Sequence, residues 1–384
     1  MTSTKFDILV MYLCAGLTLC VMYAIQPLQP LFEHSLNITK FQTSLFTTAI
    51  LLPLAFASVF YGYILEKFSI KKILVFAFFI FGVSEFIFVN THSYGAMLFV
   101  RIIQGIIAPA ALTGIMTYIS MSSPKEKVGS AIGVYIGITI LGGFVGRFLC
   151  GLSYDLSGDW KLFFVLLGAS LLVSSFLLSK VSENKTAKIK KTEFKDIFLV
   201  LRVKHNARIC AFIFFVFFSF QAILNFLPFE LLKIDGSYSG SKTSMIYVGY
   251  FIGAIISFNY KRVIGFFKTP PKAMAWGVLI FIIGTLLLHV KDFSLIFTAM
   301  LIVCLGNFIA HSVASGYINV LATEHKAISN GLYVSFYYLG GALGSFVPIV
   351  LYNRSWDAFL SFLTLLLLIS LFFVYRLGRD VKTI

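Results

Sequence analysis

The chain has 384 residues, of which 59% are apolar, 17% aromatic and only 12% charged, and its mean hydropathy is +0.91. So little polar surface cannot cover a globule in water, which excludes soluble-enzyme, disordered and nucleic-acid-binding classes and leaves an integral membrane protein. The formal net charge of +15 has to be interpreted by its position along the chain.

Apolar blocks recur at about the 20 residues that a helix needs to cross roughly 30 Å of hydrocarbon. In chain order they run at approximately 7–32, 41–65, 72–90, 95–120, 129–154, 161–180, 207–231, 241–260, 272–290, 293–321, 327–352 and 357–376. Lys, Asp, Glu or Gly punctuates every gap, so twelve membrane-spanning helices are expected. The first block is too long for a signal-peptide core and lacks a small-x-small cleavage site, so it reads as a retained helix. Of the 31 Lys and Arg residues, 23 fall in the N-terminus, alternate connections and the C-terminus, against 6 in the opposite connections. By the positive-inside rule both termini are cytoplasmic and the excess charge lies against anionic lipid on the inner leaflet.

The one long connection, 181–206, separates a bundle at 1–180 from a bundle at 207–384. Its Lys185, Lys188, Lys190, Lys191 and Lys195 precede a stretch with apolar Phe194, Ile197, Phe198 and Leu201. This reads as a solvated cytoplasmic linker carrying a short interfacial helix, with a partner-docking segment as the alternative. The halves repeat at an offset of 198: Glu126 aligns with Glu324, Gly133 with Gly331, Tyr135 with Tyr333, Leu141 with Leu339, Gly142 with Gly340, Gly143 with Gly341, and Gly146 with Gly344. Pro30 and Pro228 share that offset. The expected fold is therefore all-α, two pseudo-symmetric six-helix bundles able to rock about a shared site.

The second connection reads Gly62-Tyr63-Ile64-Leu65-Glu66-Lys67-Phe68-Ser69-Ile70-Lys71-Lys72. It resembles the G-x-x-x-D-[RK]-x-G-x-[RK]-[RK] signature of the major facilitator superfamily, with Glu66 in place of Asp and Ser69 in place of Gly. The resemblance implies that Gly62, Glu66, Lys67, Lys71 and Lys72 form a conformational switch; enforcement of topology is the plainer reading. Arg101-Ile102-Ile103-Gln104-Gly105 is similar to the family's R-x-x-Q-G signature, associated there with proton-coupled movement. Gly142-Gly143-Phe144-Val145-Gly146-Arg147 resembles a glycine-rich antiporter signature, departing from it at Gly143 and Arg147, and is closer to the YnfM-type subgroup of bacterial facilitators. Ala310 to Ser315 and Leu332 to Gly341 are similar to that subgroup too.

Polar side chains inside apolar spans are expensive and mark a candidate substrate and proton pathway: Gln26, Glu85, Arg101, Gln104, Arg147, Gln221, Asn225, Asn307 and His311. The resemblance places spans one, four, seven and ten around the family's cavity. Interhelical hydrogen bonding is the plain alternative for the amides. Glu85 is the acid well inside a span and is either a structural partner of an arginine or a proton carrier. Glu33 and Glu230 stand at the outer ends of spans one and seven, where a vestibule would expose them. His311 is a second titratable candidate.

The histidines are scattered, and the five cysteines are odd in number with no ligand spacing, so neither enzyme, metal site nor cofactor is expected. Two intramembrane arginines favour a neutral or anionic solute over a cation. The leading expectation is a monomeric, proton-coupled exporter of a small organic solute in a bacterial inner membrane, working by alternating access. Import or facilitated passage of an organic anion or sugar is the alternative.

Overall fold

The computed structural model describes residues 5–123, 127–183, 194–237, 239–321 and 326–380, and among them every regular element is helical. The first half contains α1 (Lys5–Tyr23), a 3₁₀ turn at Gln26–Leu28, α2 (Gln29–Ser35), α3 (Lys40–Lys67), α4 (Ile70–Asn90), α5 (Tyr94–Ser122), α6 (Val128–Ser157) and α7 (Lys161–Lys180). The second contains α8 (Phe194–Arg202), α9 (Lys204–Asp235), α10 (Gly240–Met245), a 3₁₀ turn at Ile246–Gly249, α11 (Tyr250–Phe258), α12 (Tyr260–Phe267), α13 (Pro270–Leu287), α14 (Phe293–Leu321), α15 (Lys326–Phe346), α16 (Ile349–Arg354) and α17 (Trp356–Asp380).

Eleven helical stretches among the described residues are long and apolar enough to cross a membrane. The remaining expected span, 241–260, is helical but divided into α10, the 3₁₀ turn and α11. Each piece alone is too short to cross. Helical spans suit hydrocarbon because each satisfies its own backbone polar groups. Their ends are specified locally. Thr39 and Gln42 form a reciprocal capping box at α3, and Thr269 caps α13 with prolines in its first turn. Gly158 and Gly236, both at φ +70°, stop α6 and α9 where a side chain would be strained. Of the expected linker, Lys185, Lys188, Lys190 and Lys191 fall outside the described residues, as do Glu126 and Glu324; α8 occupies the place expected for the interfacial helix.

The chain divides into two compact units, Met1–Lys191 with Ser239–Ser244, and Thr192–Tyr238 with Met245–Ile384. Within the first, α6 crosses α1 at two glycines. A Cβ on Gly142 would lie 2.5 Å from the Gly16 carbonyl oxygen, and one on Gly146 would lie 2.7 Å from Cys20 Cα. Within the second, α15 crosses α9 in the same way: a Cβ on Gly340 would overlap the Phe214 carbonyl, and one on Gly344 the Phe218 carbonyl. The partner positions, 16 with 214 and 20 with 218, carry the same 198-residue offset as the glycines. Tyr135 and Tyr333, which share that offset, donate to carbonyls at nearly equivalent places, Leu112 at 3.0 Å and His311 at 3.1 Å. Small residues at such crossings let backbones touch, which is how membrane helices gain packing without a hydrophobic driving force. Gly142→Val and Gly340→Val are each expected to cost about 2 kcal/mol by overpacking, seen as an earlier melting transition of the detergent-purified protein.

Candidate functional site

The first unit is organised around an interruption in its first span. Pro27 has no N–H to offer the carbonyl of Tyr23, and α1 ends there before the chain resumes as a 3₁₀ turn and then α2. The last carbonyls of a helix lack internal donors and carry the negative end of its dipole, so a cation is stabilised beside them. Arg101 on α5 fills this place. Its guanidinium donates to the carbonyls of Val21 at 2.8 Å, Met22 at 3.1 Å and Phe46 at 3.3 Å. A planar fork with five N–H groups fits such divergent acceptors; an ammonium does not.

Gln104, one turn further along α5, connects that arginine to the buried acid. Arg101 donates to its Oε1 at 2.9 Å, while its Nε2 lies 2.9 Å from Ser84 Oγ and 3.0 Å from Glu85 Oε1. Arg101, Gln104 and Glu85 are all fully buried. Glu85 and Arg101 are thus linked through an amide, and Glu85 Oε2 has no hydrogen-bond partner. Gly105 completes the motif: a Cβ there would overlap the Ile50 carbonyl, so only glycine lets α3 approach α5 this closely. Each of the three positions in R-x-x-Q-G has a separate physical task.

Arg147 meets the same interruption from α6. Its Nε donates to Gln26 Oε1 at 2.7 Å, one terminal nitrogen donates to the Gly143 carbonyl at 2.7 Å, and its guanidinium carbon stands 4.5 Å from the Tyr23 ring centre. Gln26, Glu85, Arg101, Gln104 and Arg147 therefore belong to two hydrogen-bonded groups gathered on residues 21–26.

The second unit sorts its polar candidates differently. Asn225 donates to the Ser345 carbonyl at 2.7 Å and ties α9 to α15. His311 Nδ1 lies 2.9 Å from the Tyr333 hydroxyl, and its ring centre is 4.6 Å from that of Tyr337. Gln221 and Asn307 are buried, yet both polar atoms of each side chain have no hydrogen-bond partner. Glu230 does not face an open vestibule. It is buried, accepts from Lys233 at 2.8 Å and from Tyr352 at 3.3 Å, and pairs with Lys291 at 3.7 Å.

Of the expected switch, Gly62, Glu66 and Lys67 fall in the last turns of α3, where the side chains lie outside the described residues; Lys71 and Lys72 occupy the first turn of α4. Sequence reasoning missed Asp155. Its carboxylate accepts from the backbone N–H groups of Gly240 at 2.8 Å and Ser241 at 2.9 Å, and from the hydroxyls of Ser239 at 3.1 Å and Ser241 at 2.5 Å. It thereby caps α10, which belongs to the first unit. The Ser-rich run before α10 was a legible cap signal, but its acid lies more than eighty residues away. Asp155→Ala is expected to unseat α10, read as faster amide exchange at residues 240–245.

The sequence model of the Major Facilitator Superfamily matches residues 11–268. The inner membrane transport protein YnfM of Escherichia coli (strain K12) is 25% identical over 95% of this chain and 89% of its own length. The quinolone resistance protein NorA of Staphylococcus aureus (strain COL) is 23% identical over 91% of this chain and 88% of its own. Among solved structures, the nucleoside transporter NupG superposes with a TM-score of 0.76 at 13% identity, covering 99% of this chain and 100% of that one. At that identity the likeness concerns the fold alone.

Proposed function

The chain belongs to the major facilitator superfamily, and from that premise we propose that it exports a small organic solute in exchange for protons by alternating access. It is a multi-pass membrane transporter; the direction, the coupling ion and the solute are what the proposal adds. One observation carries the coupling: Glu85 is fully buried with Oε2 unpartnered. An ionisable group inside a membrane protein is costly, and relays and solute pathways are among the places where such groups are retained. Protonated, Glu85 leaves Arg101 committed to the carbonyls at the α1 interruption. Ionised, it competes with Gln104 and those carbonyls for the guanidinium. One proton thus changes what holds the end of α1, and a conformational equilibrium can be biased only by such a difference between states.

Export fits the printed name of the relative NorA, a resistance protein. The charge asymmetry of the connections supports an orientation with both termini in the cytoplasm of a bacterium. Glu85→Gln preserves the acceptor facing Gln104 and removes the titration. In proteoliposomes under an imposed pH gradient, the wild-type protein is expected to move protons in response to an exported solute, and this variant is expected to bind solute but lose the proton flux. Coupled flux undiminished in Glu85→Gln, or none in the wild type across a broad solute panel, overturns the reading.

A further inference from the structure

Two buried amides in the second unit have no structural employment. Gln221 on α9 is fully buried and Asn307 on α14 is 1% exposed, and all four of their side-chain polar atoms lack partners. Buried polar groups are almost always hydrogen-bonded, and each exception calls for an explanation. Interhelical stitching would be the simplest, and Asn225 shows what that looks like here.

The helices place the two amides at one level. Phe220 meets Phe308 at 5.8 Å between ring centres, while Phe217 stacks on Tyr337, which in turn lies 4.6 Å from His311. Rising numbers on α9 therefore meet falling numbers on α14. Gln221 is one turn after Phe217, and Asn307 one turn before His311, so each shares a face with its aromatic neighbour. Below them, Phe217 and Tyr337 stack at 3.6 Å with their planes 15° apart. His311, Tyr337 and Tyr338 are partly exposed whereas the amides are buried, so the stacked pair marks the boundary between the two. The buried carboxylate of this unit among the described residues, Glu230, is already held by Lys233 and Lys291.

Resting on the transporter reading above, we infer that Gln221 and Asn307 are the recognition groups for an uncharged, planar solute that bears a carboxamide or lactam edge. Each amide offers both donors and an acceptor, which matches an edge carrying N–H beside C=O. The flat slot occupied by the Tyr337 ring against Phe217 matches a planar ring, which enters as Tyr337 moves aside. Without a spare buried counter-charge, an ion would be stranded there. A site built to hydrogen-bond its solute rejects analogues lacking those groups more sharply than an apolar pocket can.

The test uses the purified full-length protein in detergent and three isosteric probes differing in charge: benzamide, benzoate and benzamidinium. Calorimetric titration is expected to give binding for benzamide at least tenfold tighter than for either ion. Gln221→Leu and Asn307→Leu are each expected to weaken benzamide at least tenfold while raising Tm by about 2 °C or more, because an unsatisfied buried amide is replaced by a packed side chain. Equal or tighter binding of the ions, unchanged affinity in the leucine variants, or a fall in Tm overturns the inference; a fall would mean that the amides hold the fold together. No proton gradient enters these measurements. A negative result leaves the proton-coupling proposal intact, and normal benzamide binding without coupled flux strikes that proposal alone.

Discussion

Arg101→Ala is expected to leave little folded protein recoverable from the membrane. The substitution removes a buried cation and strands several groups at once: the carbonyls of Val21, Met22 and Phe46, Gln104 Oε1, and through Gln104 the Glu85 carboxyl. Breaking a buried charge network from one side costs about 3–5 kcal/mol, because the remaining charge stays desolvated without compensation. Against a total stability of roughly 5–15 kcal/mol that is a large fraction. Size-exclusion profiles and melting of the purified variant measure it. Arg101→Lys is expected to restore only part of the loss, since a single ammonium cannot serve four divergent acceptors. The double variant Arg101→Leu with Glu85→Leu is expected to melt above Arg101→Ala, because removing both charges leaves neither buried alone. A double variant no more stable than Arg101→Ala would show that the carbonyls, and not the acid, make the arginine indispensable.

Gly105→Val is expected to be nearly as damaging for an unrelated reason. The added carbon would meet backbone: it overlaps the Ile50 carbonyl oxygen and lies 2.9 Å from Ile50 Cα. A flexible side chain can rotate away from an intruder, but a helical backbone moves only with its helix, so the cost sits at the upper end for overpacking, about 3 kcal/mol. Forcing α3 from α5 also draws the Phe46 carbonyl away from Arg101. The expected result is a lower melting temperature together with lost transport. Gly114→Ala on the same helix, where the three atoms nearest a Cβ would all be on yielding side chains, Leu74 at 3.1 Å and 3.5 Å and Leu65 at 3.7 Å, is expected to cost far less and serves as the control.

The spans were legible because hydrocarbon imposes a length and forbids charge, and both constraints are written in composition. The same cost made Arg101, Gln104 and Arg147 conspicuous. Their partners were not, since the carbonyls of Val21, Met22 and Phe46 are backbone atoms that any residue would supply. Pro27 and Pro30 stood in plain view within the block 7–32, yet hydropathy alone reads through them as one continuous span. At 241–260 the hydropathy also ran on across an interruption. Glu230 was misplaced because, although Lys233 stands one turn away on the same helix, Lys291 and Tyr352 close over it from distant stretches of chain. Gln221, Asn225 and Asn307 look alike in sequence, and only the packing distinguishes the amide that joins two helices from the two that join nothing.

The divided first span has a consequence for how it can move. Its terminal carbonyls are served by a guanidinium rooted in another helix, so the segment is moored sideways and not along its own axis. Pro27→Ala together with Pro30→Ala would return both missing N–H groups at the break and let one uninterrupted rod form from Lys5 to Ser35. Such a rod would stand without its mooring, free to twist like an unpinned axle.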